Sequence, residues 1–173
     1  MILKMSGCLF VVAATTLTGM VRADNIQEQY RQMRVLQRLL YMMESEIKYA
    51  HIHLGEIFLH ISRRVKDPYK DWLLLMERRM GQAESGTFEA IWRQAVEEKL
   101  VSSGLPSKEI DRLGQLGAQL GVMDLELQLR VLSLYQEQLS LSIEEAREEM
   151  RTKVRLCHCL GVMSGLLVAV LLL

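Results

Sequence analysis

Three groups of residues have the types and spacing that chemistry requires. His53, Glu56 and His60 fall at i, i+3 and i+7, which gathers three donors on one helix face and would suit a divalent metal. Cys157 and Cys159 flank His158 at the edge of an apolar tail, a set that would suit metal binding or thiol redox chemistry. Glu44 and Glu46 form a carboxylate pair in sequence. Two residues advance a helix by about 200°, however, so they point to different sides and cannot act together as acid and base by local geometry. Each is a solvated charge or an ion-pair partner for a neighbouring helix. The ordinary reading of the histidine set is polar residues on a wetted helix. That of the cysteines is small side chains inside an apolar span. No serine sits beside a matching histidine and acid. No GxGxxG or GK[ST] loop follows a strand, so any ATP hydrolysis must be a partner's work. No cofactor and no metal is expected.

A fourth group is three glycines in LGQLGAQLGVMDLELQ. Gly114, Gly117 and Gly121 stand at i, i+3 and i+7, on one side of one helix. Glycine costs a helix about 1 kcal/mol against alanine, so such a stripe needs a reason. It lets a second helix approach closely, backbone to backbone, either inside the domain or as a docking surface. Gly121 also precedes Asp124, which can cap the next helix. Gly121 is therefore expected in the left-handed conformation that ends the first one.

Helices must position all of these. Only two prolines occur in 173 residues, 50% of the chain is apolar and 6% is aromatic, a mix that favours long helices over sheet. Lys and Arg total 21, as do Asp and Glu, and no basic stripe alternates with aromatics, so no nucleic-acid partner is expected. Ile26, Tyr30, Met33, Leu36, Leu40, Met43, Ile47 and Ala50 repeat in steps of three and four. Leu54, Ile57 and Ile61 continue that face past Gly55, and Asp67-Pro68 stops it. A short helix is expected over residues 69–80 and a loop over 81–86. Thr87 caps a helix that buries Phe88, Ile91, Trp92, Ala95 and Val96. Residues 102–106 break it. Ser107 caps a helix to about Leu120, and Asp124 caps a long last one. Leu125, Leu129, Leu132, Tyr135, Leu139, Ile143, Ala146, Met150 and Val154 give that helix one apolar stripe. It forms the core of this domain, or pairs with another copy in a homo-oligomer. The glutamates from Glu137 to Glu149 read as a solvated face.

The two ends decide the class. Residues 5–21, MSGCLFVVAATTLTGMV, carry no charge, and residues 156–173, LCHCLGVMSGLLVAVLLL, carry only His158 beyond the cysteines. Seventeen or eighteen residues of helix span roughly 26 Å, at the short end of what crosses a bilayer. We therefore expect an all-α chain: a membrane helix over residues 1–21, a helical bundle of about six helices over 22–155, and a second membrane helix over 156–173. Arg22, Arg31, Arg34 and Arg38 follow the first span, and Arg147, Arg151, Lys153 and Arg155 precede the second. That places the bundle in the cytoplasm. Val21-Arg22-Ala23 also offers a signal-cleavage reading, with Arg22 awkward so close to a cut.

The chain resembles the stage III sporulation protein AB family. The matching elements are Leu39, Leu40, Met43, Glu44, Glu46, Ile47 and Tyr49; then Ala90 and Trp92; then Gly114, Gly117, Gly121, Asp124 and Gln128; then Leu160, Gly161 and Gly165. Thr15, Thr16 and Thr18 near the first span also fit. The family often has prolines after the Glu-Ile-Tyr element, where this chain reads His51-Ile52-His53-Leu54-Gly55. The resemblance implies a bundle similar to the cytoplasmic domain of type II secretion and type IV pilus platform proteins. It implies a place in the mother-cell membrane facing the forespore, within a transport complex that includes a cytoplasmic ATPase. Glu44, Glu46, Tyr49, Gly114, Gly117, Gly121, Asp124 and Gln128 are then the candidate packing or interaction residues. The competing reading is a membrane-anchored metal-handling or redox protein using His53/His60 or Cys157/Cys159.

Overall fold

Polar breaks divide the chain into six helices, seen in a computed structural model that describes residues 2–49, 53–82, 86–121 and 124–172. Side chains are described within residues 25–152 of those ranges. The helices are α1 (Ile2–Tyr49), α2 (Leu54–Ser62), α3 (Tyr69–Gly81), α4 (Phe88–Leu100), α5 (Ser107–Leu120) and α6 (Leu125–Leu172). No strand occurs among the described residues. Two compact units emerge, one of Arg31–Ile143 and one of Met1–Tyr30 with Glu144–Leu173.

Local chemistry explains most boundaries. Thr87 accepts a hydrogen bond from the Ala90 amide (3.3 Å) and starts α4. Asp124 Oδ1 accepts from the Leu127 amide (2.9 Å) and starts α6. Between α4 and α5, Ser103 Oγ donates to the Leu100 carbonyl (2.6 Å) and accepts from the Leu105 amide (3.2 Å). Gly104 supplies the left-handed residue of this turn, at φ 86°. The Asp67–Pro68 peptide before α3 is cis.

Two expectations about helix ends are corrected. Ser107 does not cap α5. The Pro106 carbonyl takes the first amides instead, from Glu109 (2.9 Å) and Ile110 (3.1 Å), so Ser107 is already inside the helix. Nor does the first long helix run on through Gly55. α1 ends at Tyr49, and α2 begins afresh at Leu54 with His53 as its extended N-terminal residue. The apolar spacing stays in phase across the break, which is why periodicity alone did not reveal it.

Within the Arg31–Ile143 unit, α2 packs on α3, α3 on α4, and α4 on α5. The core draws Leu36, Leu39, Leu40 and Met43 from α1, and Leu132, Tyr135, Leu139 and Ile143 from α6. Tyr69 on α3 donates to the Gln32 carbonyl of α1 (3.1 Å), and Arg79 pairs with Glu98 (2.8 Å) between α3 and α4. Among the described residues no helix is long and apolar enough to cross a membrane. The side chains of both expected spans, with those of Cys157 and Cys159, lie outside the described residues.

Candidate functional site

The α4–α5 contact is built around one indole. Trp92 is fully buried, and its Nε1–H donates to the Leu113 carbonyl of α5 (2.6 Å). That bond presses the ring onto the next turn of α5, where Gly117 lies. A Cβ built on Gly117 would overlap the Trp92 ring, so this position accepts only glycine without rearrangement. Trp72 of α3 meets Trp92 edge to face, with centroids 4.9 Å apart and planes at 77°. Phe58 of α2 and Phe88 of α4 complete the cluster at 6.0 and 5.8 Å. Four helices therefore meet around an aromatic knot seated on a glycine.

The stripe is thus a close approach, with one difference from expectation. What comes close is a side chain, not a second backbone. Gly121 differs too: its φ of −78° and ψ of −18° are ordinary right-handed values. Its reason is space, since a Cβ there would lie 2.8 Å from Phe88 Cδ1. A Cβ at Gly114 meets nothing within 4 Å.

Asp124 and Gln128 hold the corner between α5 and α6. Gln128 Nε2 donates back to the Leu120 carbonyl at the end of α5 (2.7 Å), while Asp124 caps α6. Glu44 of α1 accepts from Gln136 Nε2 of α6 (2.9 Å), and Glu46 faces Arg64 (3.6 Å). The two glutamates thus reach different places, Glu44 the helix α6 and Glu46 the turn that follows α2. Tyr49 is 70% exposed at the end of α1, with the Lys48 ammonium 5.4 Å from its ring.

Glu109 was not singled out from sequence. It is 1% exposed, at the first turn of α5. Its Oε1 accepts from Arg112 Nη1 (2.7 Å) and from Ser142 Oγ of α6 (2.9 Å). Oε2 has no partner among the described residues. Tyr135 of α6 donates to the Glu109 carbonyl (3.4 Å); burial, then the Glu109 carboxylate, pushes its phenol far above the ordinary value. Only the i, i+3 spacing of Glu109 and Arg112 was visible in sequence. It resembles any surface pair, and Ser142 is 33 residues away. A groove of about 290 Å³ opens beside this cluster between α5 and α6, lined by Arg112, Gln115, Leu116, Leu134, Tyr135 and neighbouring glutamines.

His53 and His60 are exposed. Among the described residues no group of three or more His, Cys, Asp or Glu side chains is placed to hold a metal ion.

The profile of the stage III sporulation protein AB family matches residues 4–173, nearly the whole chain. This chain belongs to that family. Stage III sporulation protein AB of Bacillus subtilis (strain 168) is 28% identical to it over 171 residues, covering 99% of each. A solved structure of stage III sporulation protein AB superposes with a TM-score of 0.65 at 24% identity. It covers 72% of this chain and 97% of that one, and so shares the fold. Membership in the stage III sporulation protein AB family makes this a sporulation protein, built as an all-helical bundle.

Proposed function

We propose that this chain is a non-catalytic platform of a sporulation transport apparatus between mother cell and forespore. Its bundle faces the cytoplasm, is anchored by a membrane helix at each end, and engages a secretion-type ATPase. The observation that carries this reading is the use made of the polar residues. Asp124, Gln128, Glu44, Glu46 and Glu109 are each engaged in a cap, a helix tie or an ion pair. They tie helices and helix ends together. Support for anchoring comes from α1 and α6, each 48 residues long, whose outer parts coincide with the two apolar segments. Both segments are flanked by arginine on the bundle side.

Three measurements test the proposal. A reporter that fluoresces only in the cytoplasm, inserted within residues 81–86, should light up; a dark fusion with an active external reporter reverses the orientation. The full chain in detergent should bind the secretion-type ATPase of the same sporulating cell, and absence of binding removes the coupling role. Replacing His53, His60, Cys157 and Cys159 together should leave sporulation intact. Loss of sporulation at normal protein level would return the metal or redox reading.

A further inference from the structure

The outward faces of α1 and α6 carry opposite charge and matching apolar anchors. On α1, Arg34, Arg38 and Tyr41 point to solvent on one side, with Val35 beside them. Tyr41 is 54% exposed and Val35 36%. The acids of this region turn elsewhere, Glu44 to Gln136 and Glu46 to Arg64. On α6 the core stripe occupies one side. On the other, Leu134 and Leu141 are 53% and 63% exposed, unusual for leucine in successive heptads. Around them Glu137, Glu144, Glu145 and Glu148 are all exposed. Arg147 lies 3.6 Å from Glu144; Glu137, Glu145 and Glu148 carry no ion pair among the described residues.

We propose that the outward face of α1 in one copy docks on the outward face of α6 in a second copy. Spacing fixes the register. The steps from Arg34 to Arg38 to Tyr41 are four and three. Those from Glu148 back to Glu144 to Leu141 are also four and three. Laid antiparallel, the helices set Arg34 against Glu148, Arg38 against Glu144 and Glu145, and Tyr41 against Leu141. The cations meet the acids while the apolar side chains leave water together. Like faces would instead set arginine against arginine or glutamate against glutamate, which disfavours α1 on α1 and α6 on α6.

The test uses the full chain in detergent micelles, with a photocrosslinking phenylalanine analogue in place of Tyr41. Irradiation should give a dimer whose joined peptide contains Leu141 of the second copy. Arg34→Glu with Arg38→Glu should cut that dimer at least tenfold, as should Glu144→Arg with Glu145→Arg and Glu148→Arg. Both sets in one chain should restore it, which excludes misfolding as the cause. Raising salt from about 0.1 M to about 1 M shortens the Debye length from about 10 Å to about 3 Å and should weaken the wild-type dimer. A yield indifferent to charge reversal overturns the proposal. So does failure of the combined variant to recover, or a Tyr41-to-Tyr41 joined peptide. The readout involves neither the ATPase nor sporulation, so it stands or falls separately from the platform role.

Discussion

At the residue scale the glycines divide by cause, and each cause has its own cost. Gly117→Ala drives a methyl into the Trp92 ring, which is fully buried and tied to Leu113. Overpacking of this kind costs about 1–3 kcal/mol, so the thermal midpoint should fall by several degrees. The nearest atoms to a methyl at Gly121→Ala all belong to Phe88, which is half-buried and freer to yield. Its loss should be smaller, and Phe88→Ala in the same chain should remove most of the added penalty; purely additive losses would mean the two positions do not touch. Gly114→Ala adds a methyl to open space in mid-helix and should stabilise by up to about 1 kcal/mol. The sequence displayed all three glycines equally. Nothing in their spacing said which one faced an indole, because Trp92 lies on another helix and its aim depends on a backbone carbonyl.

At the element scale, stops written in Ser, Gly, Pro and Thr were legible. The expected 69–80 helix runs to Gly81, and α4 begins directly after Thr87. The α1–α2 break was not, since it has neither proline nor a change of hydrophobic phase. The burial of Glu109 was equally hidden, because an acid beside Arg112 in a first turn looks solvated until α6 covers it. Arg112→Ala should strand that carboxylate with Ser142 alone and cost about 1–3 kcal/mol. Glu109→Gln keeps an acceptor for Ser142 without the buried charge, and should cost less; equal losses would show that stranding the charge adds nothing to losing the ion pair. Tyr135 gives the corner a pH signature. Its folded phenol titrates above its ordinary value of 10.0, so its contribution is complete below that pH. Stability should then decline as pH rises beyond about 10, less steeply in Tyr135→Phe, as followed by urea unfolding.

At the scale of the whole molecule, the two 48-residue helices open and close the chain and the four short ones are the filling between them in sequence. The sequence made the long apolar stripes plain and the all-helical class with them. What holds the filling together came only from three-dimensional pairing, above all the knot around Trp92. That knot has an optical consequence. The chain has two tryptophans, Trp72 and Trp92, and both are fully buried in it. All indole emission of the unlabelled protein therefore comes from one buried spot, and its colour gauges whether α3, α4 and α5 are still shut. A partner that only touches the outer faces should leave a blue emission maximum unmoved. One that prises α4 from α5 should shift it toward the red, a difference that a titration in a fluorimeter can read without any label.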